Sequence, residues 1–190
     1  ADTEAAKSAQ IARFLEDMLR GIDPKKAQER DTTLLQEALG RTAGQVARDL
    51  TNQPAVEAHL KNTIGNIYAA LGDFQNAELM ARSALALRGA DPAGQLADLA
   101  ESHFDLAHHL WRQGKLAEAE QVAREGLVLA TDSVGKKSPL VAKSLAQLGV
   151  IVQDRGRLPE AESFFRQSLT MRKQLLGNTH PSVALALNEL

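Results

Sequence analysis

Apolar residues along this chain return every three to four positions, and nowhere do they alternate one by one over the length of a strand. Ile11, Phe14, Leu15, Met18, Leu19 and Ile22 form one such stripe. Leu35, Leu39, Val46 and Leu50 form a second, over a helix predicted to begin near Thr32 or Thr33. The prolines agree with this pattern. Asp23-Pro24, Ser138-Pro139 and Leu158-Pro159 stand where helices begin, and a first turn tolerates proline because its N–H has no partner there. Pro54 and Pro181 precede further periodic stretches, and Pro92 lies in a Gly-Ala-Asp-Pro-Ala-Gly turn.

The stripes repeat. Gly72-Asp73-Phe74-Gln75-Asn76-Ala77-Glu78, Gly114-Lys115-Leu116-Ala117-Glu118-Ala119-Glu120 and Gly156-Arg157-Leu158-Pro159-Glu160-Ala161-Glu162 align without gaps at a period of 42. Arg82, Arg124 and Arg166 share that period, as do Leu85, Leu127 and Leu169. Upstream, Ile64, Leu106 and Leu148 correspond, each followed by a small residue: Gly65, Ala107 and Gly149. The glycine of each turn ends a first helix, where a left-handed residue closes the bend. The alanine five residues later marks the place where the second helix crosses the first, and only a small side chain permits that approach. One helix pair cannot bury its apolar face, so stacking on the next pair supplies stability.

This pattern resembles the tetratricopeptide repeat, whose usual length is about 34 residues. The 42-residue variety is similar to that of kinesin light chains and their bacterial relatives. Gly156 to Glu162, Leu169-Thr170-Met171-Arg172, Leu176-Gly177-Asn178-Thr179-His180-Pro181-Ser182-Val183-Ala184 and Leu187-Asn188 carry that likeness. The middle repeat keeps Val134-Gly135 and Ser138-Pro139, with serine in place of the histidine, and the first departs further in its 89–94 loop. The resemblance implies an all-α fold, a right-handed α–α superhelix of stacked antiparallel helix pairs. Repeats are expected at 54–95, 96–138 and 139–180, with a truncated fourth at 181–190. Residues 1–53 are expected to be N-terminal helices, capping or connecting. That stretch, with Phe14-Leu15-Glu16-Asp17-Met18-Leu19, an Asp-Pro and the helix Thr33 to Leu50, is similar to one preceding such repeats in bacterial receptor-like serine/threonine kinases. The apolar start of the fourth unit (Val183, Leu187, Leu190) is expected to continue into more repeats or to pack on another copy.

In stacks of this kind the first helices line a groove, which implies a protein or peptide as partner. The first repeat offers His59, Asn62, Asn66 and Ala69, and the second Glu101, Phe104, His108, Trp111 and Arg112. The third offers Lys143, Ala146, Val150 and Gln153, and the fourth Asn188. Asn62 and Asn66 are one turn apart, and an amide both donates and accepts, which suits an extended backbone. Kinesin-light-chain-like grooves carry asparagine at the places of Asn62 and Asn188. Asparagine is also a poor helix former, so it wants a reason there. The plain alternative is a solvated helix residue. Trp111 and Phe104 serve equally as ligand anchors or as packing against the next repeat. Arg112 suits a carboxylate, or simply the solvated surface.

Composition narrows the function further. Lys+Arg is 22 against Asp+Glu 24, so no basic excess draws the chain to nucleic acid. Cysteine is absent, which removes thiolate metal sites and disulfides. No apolar run approaches the roughly 18 residues of a membrane span. His103, His108 and His109 are spaced by five and one, not by the three or four that set two ligands on one helical face. No nucleophile, acid–base pair, kinase signature, metal or cofactor site is recognisable. The expected function is therefore a non-enzymatic protein-interaction scaffold. The alternative is a structural or self-associating sensor region of a larger bacterial signalling protein such as a receptor-like kinase. Its place would be the cytoplasm, or the extracytoplasmic face of the membrane in the kinase case.

Overall fold

The computed structural model describes residues 32–90 and 96–188. The stripe from Ile11 to Ile22, the Asp23-Pro24 start, the Pro92 turn and Leu190 lie outside the described residues. The described residues form eight helices and no strand: α1 Thr32–Asp49, α2 Pro54–Ala70, α3 Phe74–Ala90, α4 Leu96–Arg112, α5 Leu116–Val134, α6 Pro139–Asp154, α7 Leu158–Leu176 and α8 Pro181–Asn188. They divide into two compact units at Arg88 and Gly89.

In the first unit, Ala38, Leu39, Val46 and Leu50 of α1 meet Val56, Leu60, Ile64 and Tyr68 of α2 and Ala77 of α3 in one buried cluster. The Tyr68 hydroxyl donates to the Gln36 carbonyl across α1 and α2 at 3.3 Å, which satisfies its polar tip. Gly65 is where α2 and α3 touch: a Cβ there would stand 3.2 Å from the Ala77 carbonyl oxygen and the Met80 Cβ. Lys61 ties the same two helices, donating to Ser83 Oγ at 2.6 Å while pairing with Glu57 at 2.7 Å.

The second unit holds two full helix pairs, α4–α5 and α6–α7, with α8 starting on α7 through Val183, Ala186 and Leu169. The expected alanines, Ala77, Ala119 and Ala161, are all buried. A further small row, not read from the sequence, runs through Ala84, Gly126 and Ser168, also buried. A Cβ on Gly126 would lie 2.7 Å from the His103 Cβ. At the equivalent place Ser168 Oγ donates to the Ala142 carbonyl at 2.7 Å, so the close approach becomes a hydrogen bond between helices.

Three turns repeat the same backbone. Gly72, Gly114 and Gly156 have φ of 81, 75 and 78°, a conformation that L side chains rarely adopt. Each glycine N–H reaches back three residues, and the next N–H five (Asp73 to Tyr68, Lys115 to Leu110, Arg157 to Val152), closing the last orphan carbonyls of the first helix. The longer turns use Gly135 and Gly177, at φ 80 and 81°. There Ser138 Oγ accepts from the Val141 N–H at 3.2 Å, while one period on His180 Nδ1 accepts from the Ser182 N–H at 3.2 Å. Serine and histidine thus begin α6 and α8 by one device, a side-chain acceptor for an unpaired first-turn donor.

Neighbouring pairs of the second unit are also joined by charge. Glu120, buried near the start of α5, accepts from Arg124 one turn on and from Arg155 and Arg157 in the α6–α7 turn. Arg124 reaches Glu160 at 2.6 Å, closing the network. The Glu–Arg pair recurs at Glu78–Arg82 and Glu162–Arg166, where both distances are under 3 Å.

Candidate functional site

Phe104, His108 and Trp111 follow one another at helical spacing on α4 and present a half-buried row, with Glu101 and Arg112 exposed beside them. Helix α6 flanks that row. Lys143 places its ammonium 3.7 Å from the centroid of the Phe104 ring, a cation–π contact. Gln147 donates to the Phe104 carbonyl at 2.9 Å. Trp111 Nε1 donates to Asp154 Oδ2 at 2.6 Å, fixing the indole at the far end of the row. Between them the His108 ring lies 5.6 Å from that of Trp111 and edge-on to His109 at 5.8 Å. Burial first, then the charges of Arg112 and Lys143, pull His108 below the ordinary histidine range.

Two hollows adjoin Lys143. One of about 290 Å³ is lined by Ala97, Asp98, Glu101, Pro139 and Leu140, and one of about 230 Å³ lies towards Arg172, Leu175 and Ser182. Arg172 donates to the Ser182 carbonyl at 3.0 Å, which holds the start of α8 against α7. A wider hollow of about 670 Å³ opens along α7 by Lys136 and Lys137, with Gln167, Thr170 and Gln174 on its wall. It contains no aromatic ring and lies away from the row.

Of the residues expected in the groove, Phe104, His108, Trp111, Arg112 and Lys143 come together. Val150 is half-buried and Gln153 exposed on α6, whereas Ala146 is buried. Asn188 is exposed on α8. His59, Asn62 and Asn66 belong to α2 of the first unit. His59 and Asn66 are exposed there, but Asn62 is only 8% exposed, so the two amides are not equally open to a ligand. Asp154 and Gln147 were not singled out from the sequence. Each lies in the next repeat, 43 residues beyond the α4 residue it bonds, one more than the 42-residue period.

His103 and His109 are buried in the interior. His103 Nδ1 is bonded to the Leu99 carbonyl oxygen at 2.9 Å, and Nε2 is 3.8 Å from Glu125. Among the described residues no three His, Cys, Asp or Glu side chains are grouped to hold a metal ion. Likewise no described helix is long and apolar enough to cross a membrane.

Known proteins share this architecture. The nearly identical tetratricopeptide-like repeats of a protein described as a Podosopora anserina kinesin light chain superpose with a TM-score of 0.72 at 18% identity, covering 95% of this chain and 84% of that one. BtubC (BKLC) from P. vanneervenii gives 0.60 at 21% identity, over 96% of this chain and 63% of its own. The N-terminal domain of stress-induced protein-1 from C. elegans gives 0.53 at 20%, over 73% and 98%. No curated protein matches the chain. Family profiles, each described as tetratricopeptide repeat, match residues 58–90 and 98–174. Together they span more than half of the sequence. The chain belongs to the tetratricopeptide repeat family.

Proposed function

We propose that this chain is a protein-interaction scaffold that holds a segment of a partner protein along the α4–α6 row of the second unit. The observation that carries the reading is the set of half-buried rings, Phe104, His108 and Trp111, bordered by Lys143 and Arg112. Flat rings supply contact area at little entropic cost, and the hydrogen bond to Asp154 orients the indole in advance. Lys143 and Arg112 make the row favour a segment that brings carboxylates. Scaffold function of this kind needs no catalytic group.

Selecting peptides from a random display library on the purified protein tests the reading. Phe104→Ala and Trp111→Ala should each weaken the selected peptides by more than about tenfold, the range of an interface anchor. Both rings are half-buried, so the thermal transition should fall by a few degrees at most, and affinities are compared at a temperature where both variants are folded. Peptides that bind both variants as well as the parent would remove the site.

Self-association is a second reading with its own observation. Leu185 and Leu187 of α8 are 61% and 52% exposed, beside Leu175 and Leu176 at 39% and 41%. Sedimentation over a wide concentration range separates the two: a constant monomer mass rules out self-association and leaves the peptide row untouched.

A further inference from the structure

His108 sits in the middle of the row, where a bound segment has to pass it. Among the described residues of the second unit, these charged and titratable groups stand near it. On α4 they are Arg112 one turn on, Asp105 less than a turn back, and the buried His109 next in the chain. On α6 they are Lys143, whose ammonium rests on Phe104, and Asp154, held by the Trp111 indole. Burial, then the positive charges of Arg112 and Lys143, lower the titration of the His108 ring, so the row by itself disfavours the imidazolium. A carboxylate brought in between Lys143 and Arg112 reverses the sign of the nearest charge, and the imidazolium becomes a third donor to it.

We infer that His108 takes up a proton when a carboxylate-bearing segment occupies the α4–α6 row, so that capture tightens as the solution becomes more acidic. The inference rests on the peptide-row reading above and adds its regulation. Its sign follows from linkage: proton uptake on binding means that affinity rises as pH falls. The gain is complete below the titration of the free protein and absent above that of the complex. Ligand carboxylates stay ionised throughout, since they titrate near 4.

The probe is an acetylated hexapeptide alternating leucine and glutamate, followed by the fluorescence of Trp111, the one tryptophan in the chain. Between about pH 7.5 and about pH 5.5 the affinity should rise by roughly fivefold, the interval in which an imidazole changes charge. In the same titration the His108 ring resonances should show a higher midpoint with the peptide than without it. His108→Gln should bind with one and the same affinity at both pH values, having lost the titrating group. Equal parental affinity at both pH values overturns the inference while leaving the peptide row standing. So does a pH dependence that survives in His108→Gln, or an unmoved ring midpoint in the unaltered protein. No binding at either pH removes the row and this inference together.

Discussion

Gly149→Ala should lower the thermal transition, although alanine is the better helix former by about 1 kcal/mol. The reason is the ring behind it. A Cβ on Gly149 would stand 2.5, 2.7 and 3.0 Å from three carbons of Phe165, which is only 2% exposed. Ordinary carbon contacts need about 3.5–4.0 Å. The ring is enclosed and cannot swing away, so α6 and α7 must separate at their crossing. Overpacking of that kind costs roughly 1–3 kcal/mol, and set against the propensity gain it leaves a net loss of up to about 2 kcal/mol. In a unit of this size that corresponds to a fall of several degrees, about 4–8 °C for each kcal/mol. Gly44→Ala is the control. It lies inside α1, where among the described residues a Cβ meets nothing nearer than the Arg48 guanidinium at 3.5 Å, so that change should raise stability. Adding Phe165→Leu to Gly149→Ala should recover part of the loss, with a coupling on the order of 1 kcal/mol between the two sites. A higher melting temperature for Gly149→Ala alone would contradict the crossing.

That crossing also shows where sequence reading succeeds in this chain and where it stops. The period of 42 put a small residue at 65, 107 and 149, and the glycine turns at 72, 114 and 156 adopt the left-handed backbone that the spacing predicts. These features are local or strictly periodic, so one dimension contains them. What each small residue touches is not periodic. Gly65 faces the Ala77 backbone and Gly149 the Phe165 ring, and in the middle pair Gly126 stands against His103. The larger side chains chosen in each repeat decide that. The site is legible to the same degree. Phe104, His108 and Trp111 form one row because they share a helical face. Their partners on α6 depend on how two helices are offset, which sequence spacing does not contain. Asn62 is instructive in the other direction. Its helical face matched that of Asn66 four positions on, yet Asn62 is buried and Asn66 exposed. Glu78, Glu120 and Glu162, with Arg82, Arg124 and Arg166, were visible as two periodic sets, and an offset of four is the signal that pairs them.

Those three pairs are equivalent in sequence and unequal in energy, and Glu120→Gln should reveal it. An exposed pair of this spacing contributes about 0.3–0.5 kcal/mol. Glu162–Arg166 is of that kind, its side chains 53% and 68% exposed, so Glu162→Gln should change stability by no more than that. The Glu120 side chain is 7% exposed and receives three guanidinium groups, two of them from the turn of the next pair. Its removal leaves those arginines without their common acceptor. They are 36–44% exposed and recover water, so the loss falls short of the 3–5 kcal/mol of a fully buried pair. About 2 kcal/mol is the expected cost. Acid should erase the difference. The hydrogen bond from Arg157, aided by Arg124 and Arg155 and opposed by burial, holds the Glu120 carboxyl at about 2 against an ordinary 4.5. A lowered carboxylate stabilises the fold fully above its unfolded value, and that stabilisation is lost as pH falls through the folded one. Denaturation of the parent and of Glu120→Gln should therefore differ by a constant amount above about pH 5. The two should converge between 4.5 and about 2. Equal losses for Glu120→Gln and Glu162→Gln, or a gap that persists in acid, would mean that the arginine cluster does not join the two helix pairs.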